Sequence, residues 1–427
     1  MSYTVVNPAK GVEGYFIKNT RFNTTLVSFN FYLPLKRETV AANALLPFVL
    51  TTCSKEYPEF SALNFKLSKL YGAELVASSE KAGDFQLIKV GISVISDKYT
   101  LDNEQLTSEA LKLLLGLIFE PAVSNGEFNA ADVEREKRKA AEHIMGELAE
   151  KRTYAKKRLI EEMYKNDPYG IPKCGTVEDV RKIDGKILYK TWENMLKTAY
   201  VRVNVVSSEM PEGLFTAVSD RFLTVERRDI TDCTKTVPTR VSASVNRVDE
   251  QMSVTQGKLV MGFSSKISGG DRECAALTVM ADIFGGGTYS KLFMNVREKQ
   301  SLCYYCAVGT VKAKGLLTVD SGVCKENMEK TERAILNQLK AIQNGEITDN
   351  EYESSLKSIL DSFKTYNDSQ NLLDIWYSLK ISDGRPITVE ELSELISKVT
   401  KEDVINAARG IMLHTVYRLI PEDKEAV

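Results

Sequence analysis

Histidine is almost missing: His143 and His414 are the only two in 427 residues. So few leave no ground for a Ser/His/Asp or Cys/His catalytic arrangement. Excess charge is missing too. There are 56 basic and 58 acidic side chains, a net charge of −2, which gives no electrostatic pull toward nucleic acid or an acidic membrane. The longest apolar run, Leu113 to Phe119, is far short of the ~20 residues of a membrane span. Met1-Ser2-Tyr3-Thr4-Val5-Val6-Asn7-Pro8 has neither the basic start nor the apolar core of a signal peptide. The seven cysteines are odd in number and scattered, so they outline no disulfide framework. A reducing cytoplasm is the expected setting.

What is present is a soluble globular composition, 43% hydrophobic and 27% charged, in a chain long enough for two domains of about 200 residues. Each would bury its own core without staples. The chain also repeats itself with a period of roughly 215 residues, a self-similarity that sets the architecture. Leu70-Tyr71-Gly72-Ala73 answers Ile283-Phe284-Gly285-Gly286, and Asn125-Gly126-Glu127 answers Asn344-Gly345-Glu346. Thr176-Val177-Glu178-Asp179-Val180 and Thr388-Val389-Glu390-Glu391-Leu392 open the terminal helical region of each half.

Val27, Phe29, Phe31 and Leu33 alternate with Ser28, Asn30 and Tyr32, the period of a half-buried strand. Ile88 to Val94 and Val201 to Val205 alternate in the same way; Leu259 to Phe263, Cys303 to Val308, Leu316 to Val319 and Val416 to Leu419 read as their counterparts. Helices lie between, over Thr107 to Phe119, Asp132 to Lys151 and a segment opened by Thr348 with Glu351, a capping box. Strands, then helices, then one more strand per half predict an α+β fold: two tandem homologous domains, each a mainly antiparallel sheet with helices packed on one face. Residues 1–225 form the first domain, 226–245 an exposed, charged and Thr-rich linker, and 246–427 the second.

The second half carries the most distinctive segment, Gly285-Gly286-Gly287 through Lys291-Leu292-Phe293, then Arg297-Glu298-Lys299 and Leu302-Cys303-Tyr304. The glycines read as a helix C-cap and sharp turn with positive φ, or as backbone kept bare for a substrate to approach. A phosphate loop needs a preceding strand and a following Gly-Lys-Thr/Ser, and neither is present. By spacing alone Arg297 is a cation at a helix C-terminus and Tyr304 a strand aromatic sharing a face with Leu302 and Cys306. Cys303 and Cys306 form a C-x-x-C, but three residues apart in a strand they should face opposite sides. His143 has Glu142 and Glu147 nearby, too few ligands for a stable zinc site.

Taken in order, these pieces resemble the insulinase-like (pitrilysin-type) peptidase family over nearly the whole chain. Gly285 to Phe293, Arg297-Glu298-Lys299 and Leu302-Cys303-Tyr304 look like its Gly-rich turn and Arg–Tyr motif; Tyr169-Gly170-Ile171-Pro172 and Gly175-Thr176 also look family-like. The resemblance implies two domains of one fold facing each other across a cavity. It also implies zinc held by a His-x-x-Glu-His helix plus a Glu on a later helix, and an arginine and tyrosine that hold substrate; these match Arg297 and Tyr304. The helix that should bear the metal reads Ala44-Leu45-Leu46-Pro47-Phe48-Val49-Leu50 instead, and only the Glu136 to His143 region retains charge. This departure resembles the bacterial metal-free (YmfF-like) branch that accompanies a zinc-bearing paralogue.

The expectation is therefore a non-catalytic subunit with no catalytic residue, no metal ligand and no cofactor of its own. Arg297, Tyr304, Gly285, Gly286 and Gly287 would bind a peptide substrate, and zinc would reside in a partner paralogue. A homodimer is possible; nucleic acid and membrane are not expected partners. The alternatives are a stand-alone peptide-binding or chaperone-like clamshell, and a residual metallopeptidase with non-standard ligands.

Overall fold

The computed structural model describes residues 3–102, 104–234, 237–239, 242, 244–267, 271–381 and 386–422. The chain forms two compact units, and each takes a segment from the other half of the sequence. The first comprises Met1–Met145, Ile171–Lys235 and Tyr366–Pro386; the second comprises Gly146–Gly170, Thr236–Thr365 and Ile387–Val427.

The first unit contains β1 (Tyr3–Ala9), β2 (Val12–Lys18), β3 (Thr24–Pro34), β4 (Glu74–Ala82), β5 (Phe85–Ile95), the short hairpin of β6 (Val123–Ser124) with β7 (Glu127–Phe128), and β8 (Tyr200–Ser207). Its six-stranded sheet runs β1-β2-β8-β3-β5-β4. All neighbours are antiparallel except β2 and β8. The second unit contains β9 (Asn246–Met252), β10 (Gly257–Ser265), β11 (Tyr305–Val311), β12 (Leu316–Val323) and β13 (Ile411–Pro421). They are ordered β11-β12-β10-β13-β9, with only β13 and β9 parallel. Without β1 the two sheets have the same strand order and the same single parallel pair. The sequence repeat is thus a repeat of topology, and the fold is α+β as expected.

Local signals account for the boundaries. Thr176 with Asp179 and Thr388 with Glu391 form complete capping boxes, and Thr348 with Glu351 closes the same reciprocal hydrogen bonds. Asn125 and Gly126 turn with φ of 53° and 73°, left-handed values that Asn and Gly tolerate best. Alternation sends Val27, Phe29, Phe31 and Leu33 into the main core of the first unit, against Leu45, Leu46, Leu114 and Leu117 from the covering helices.

Burial of β3 differs from the half-buried expectation: nine of its eleven residues are buried, on both faces. The polar face is covered by the Gln370–Leu379 helix from the far end of the sequence. Asp374 accepts hydrogen bonds from Ser28 (2.6 Å), Asn204 (2.8 Å) and Lys89 (2.5 Å). Ser378 donates to Asn30, and Arg202 donates to the Tyr377 carbonyl. In the second unit the Lys151–Met163 helix plays the matching part on β10 and β13. There Arg152 pairs with Asp320 at 2.5 Å and Arg158 with Glu250 at 3.2 Å. Lys314, with 0% of its side chain exposed, pairs with Asp167 at 3.2 Å.

The expected exposed linker is exposed over most of its described residues, but four of them are buried. Arg227 is buried and donates to the carbonyls of Lys10, Gly11, Leu196 and Ala199. Unpaired carbonyls at the end of the Gly185–Thr198 helix favour such a cation. Cys233 is buried beside Tyr32 and Ile381, and Thr239 is buried in the second unit. Residues 235, 236, 240, 241 and 243 of that linker lie outside the described residues.

Candidate functional site

Val40–Leu50 is apolar almost all round, and every residue except Phe48 is buried, as a helix without a polar face must be. Buried Gln86 on β5 pins it, accepting from Asn43 (3.0 Å) and donating to the carbonyls of Val40 (2.9 Å) and Lys173 (3.0 Å). Opposite stands the Ala130–Ala149 helix, whose Glu136, Lys139, Ala140 and His143 share one face by their spacing. Between them, beside Ser78, Ser79 and Glu80 of β4, lies a cavity of about 470 Å³.

This is where the family resemblance calls for metal, and the residues do not fit one. Ala44 and Phe48, one turn apart, line the cavity and carry no donor atom. Glu136 accepts instead from Arg135 (3.1 Å) and Lys139 (2.9 Å). Among the described residues no three His, Cys, Asp or Glu side chains converge as metal ligands. His143 is exposed on its helix, and His414 lies in β13 with Nδ1 2.8 Å from Thr415 Oγ1.

In the second unit the Asp271–Gly285 helix leads into the Gly-rich turn. None of the three glycines has a positive φ, so the left-handed C-cap reading does not hold. Close packing explains them: a Cβ would lie 2.5 Å from Val308 at Gly285, 2.1 Å from the Asp282 carboxylate at Gly286 and 2.6 Å from the Tyr289 ring at Gly287. Their bare backbone is covered by the chain's own side chains. Asp282 accepts from Tyr289 (2.5 Å) and Ser355 (2.6 Å), while burial pushes its carboxyl above the ordinary range. Lys291 forms a buried two-pronged ion pair with Glu351, at 3.0 and 3.1 Å. These contacts rivet the turn to the Asp349–Tyr366 helix. Of that helix's contacts, only its own Thr348–Glu351 cap was legible in the sequence.

Arg297 sits on Leu292–Glu298, a π-helical stretch, a widened geometry that is rare and often found at functional sites. Its guanidinium lies 4.6 Å from the Phe293 ring centroid, and its Nε is 3.6 Å from Glu298. The side chain is 41% exposed. Tyr304 is 64% exposed and precedes the strand rather than lying in it, because Ser301 with φ of 49° delays β11 to Tyr305. The same turn corrects the cysteine expectation. The two thiols interact: Cys306, with the Arg297 charge, holds Cys303 below the usual thiol range, while Cys303 and burial push Cys306 well above it.

Comparison with known proteins agrees with this picture. Residues 182–359 match the family described as the Peptidase M16 inactive domain. The chain is 32% identical over 424 residues, 98% of each chain, to the probable inactive metalloprotease YmfF of Bacillus subtilis (strain 168). It belongs to the insulinase-like (M16) peptidase family. Within the family it is a homologue of the inactive kind. It is also 22% identical, over 87% of its length and 91% of the relative's, to the uncharacterized zinc protease YmxG of the same organism. The crystal structure of a conserved protein from Enterococcus faecalis V583 superposes with a TM-score of 0.91 at 26% identity, covering 99% of both chains. Among the described residues no helix is long and apolar enough to cross a membrane.

Proposed function

We propose that this chain is the non-catalytic subunit of a heteromeric insulinase-like zinc peptidase. A zinc-bearing paralogue supplies the metal and the general base, and this chain helps hold the peptide substrate. One contrast carries the reading: the helix that the family resemblance assigns to the metal presents Ala44 and Phe48 to the cavity, whereas Arg297 and Tyr304 keep exposed polar groups. Bacillus subtilis has one relative described as a probable inactive metalloprotease and another described as an uncharacterized zinc protease, one of each kind this reading calls for. We place the work in the cytoplasm, where seven free thiols stay reduced.

Arg297 donates charge-assisted hydrogen bonds to a substrate carbonyl or carboxylate, each worth about 1.5–3 kcal/mol. Tyr304 adds a hydroxyl donor, and Gly285, Gly286 and Gly287 set the turn that positions both. If these contacts strengthen in the transition state, Arg297→Ala lowers turnover of the assembled complex roughly 10²–10³-fold. The exposed site lets the variant fold, as a thermal melt would verify. Unchanged turnover in the complex removes this role. The cavity beside the β4 edge favours a second reading, a peptide-holding protein that needs no paralogue. Purification from the native host separates the two: a zinc-bearing homologue recovered with the chain supports the heteromer, and a homodimer alone supports the second reading.

A further inference from the structure

We infer that the second unit carries a seat for a peptide carboxylate, built from Arg152, Lys258 and Tyr305. This rests on the reading that the chain holds peptides, and names a chemical group by which it holds them. Gly322 of β12 stands opposite Lys258 of β10 on one side and opposite Tyr305 of β11 on the other. A Cβ at Gly322 would lie 2.6 Å from the Tyr305 ring, so the bare glycine is what lets that ring lie across the strand. The ring gathers two cations. The Arg152 guanidinium is 4.4 Å from its centroid and the Lys258 ammonium 5.6 Å, distances at which the ring face attracts positive charge without cancelling it.

The acids of this group are already engaged. Buried Asp320 takes Arg152 through Nε at 2.5 Å and Lys156 at 4.0 Å. Glu150 caps the Lys151–Met163 helix, accepting from the main-chain N–H groups of Arg152 and Thr153. Lys258 is left with an amide oxygen, Gln256 Oε1 at 2.8 Å, and among the described residues it has no carboxylate partner. The Nη nitrogens of Arg152 likewise have no acceptor among the described residues. Arg152, Lys156 and Lys258 against Asp320 and Glu150 leave one positive charge in excess, which a single carboxylate cancels. Burial holds the Lys258 ammonium below its ordinary value, and the Arg152 charge adds to the effect; an arriving anion opposes both. The seat is open to solvent, with the Arg152 side chain 43% exposed. It also adjoins Tyr304, which donates its main-chain N–H to the Gly322 carbonyl at 2.9 Å, so a peptide held by Tyr304 is already beside it.

The test uses the full chain and two pairs of fluorescent nonapeptides, read by anisotropy at low salt. One pair differs by a C-terminal carboxylate or amide, the other, amidated, by a central Glu or Gln. In at least one pair the carboxylate member should bind roughly 10- to 100-fold more tightly, and the pair that discriminates tells whether a chain end or an acidic side chain fills the seat. Lys258→Met keeps the stem, removes the charge and should close most of that gap, whereas Lys258→Arg should keep it. If Lys258→Met fails to fold, acylation of Lys258 in the parent chain carries the test: the carboxylate peptide should slow it several-fold and its uncharged twin should not. Equal binding within both pairs overturns the seat but leaves peptide holding intact, as does a gap unchanged in Lys258→Met or acylation that both twins leave alike. If no peptide binds, with or without a zinc-bearing paralogue, peptide holding itself fails and the seat with it.

Discussion

Asp374→Ala is the most informative single perturbation of the fold. The carboxylate is 2% exposed and receives hydrogen bonds from Lys89 at 2.5 Å, Ser28 at 2.6 Å and Asn204 at 2.8 Å. Removing it leaves the Lys89 ammonium, itself 4% exposed, buried without a counterion. Breaking a buried pair in this way costs about 3–5 kcal/mol. The two neutral donors add to that loss, though not additively. Since two units need not melt as one transition, the readout should be local: hydrogen exchange of the Gln370–Leu379 amides followed by mass spectrometry. Protection there should fall roughly 10²–10³-fold, with amides of the second sheet unaffected. Replacing the pair together, Lys89→Met with Asp374→Leu, should recover most of the protection, because a matched apolar pair is often as stable as a buried ionic one. Exchange in Asp374→Ala within a few-fold of the parent would refute the claim that this ion pair latches the helix.

Burial holds the His414 imidazole below its ordinary value of 6.5. Below 6.5 the unfolded chain takes up a proton that the folded chain accepts only at lower pH, so stability falls as pH drops through that window. His414→Asn should flatten this slope in melting temperature between neutral pH and pH ~5, and an unchanged slope would show that other groups set it. Cys306→Ala removes the neighbouring thiol that lowers Cys303. Carbamidomethylation of Cys303 at neutral pH should then slow several-fold, since the thiolate is the reactive form; an unchanged rate would show that the two sulfurs are not in contact in solution.

Much of the fold was legible because it is decided locally. The alternation in Val27 to Leu33, the cap at Thr348 and the helix openings at Thr176 and Thr388 each depend on residues a few positions apart. The Gly-rich turn was located correctly but for a different reason: Gly285 is needed by Val308 of a neighbouring strand, not by a local φ. Cys303 and Cys306 were placed on opposite faces because the strand was read as starting at Cys303, whereas β11 starts at Tyr305.

By itself the sequence determined the repeat, the α+β class, the family and the apolar character of the Ala44 to Leu50 segment. Only the tertiary structure decided that Lys151–Met163 belongs to the second unit and Gln370–Leu379 to the first. It alone also showed that the lost metal position is an open pocket beside a sheet edge. The physical reason lies in the polar faces of the strands. Ser28, Asn204 and Lys89 look solvent-facing in sequence whether they meet water or a carboxylate, and Asp374, 285 positions beyond Lys89, reveals itself as their partner only once the chain has folded.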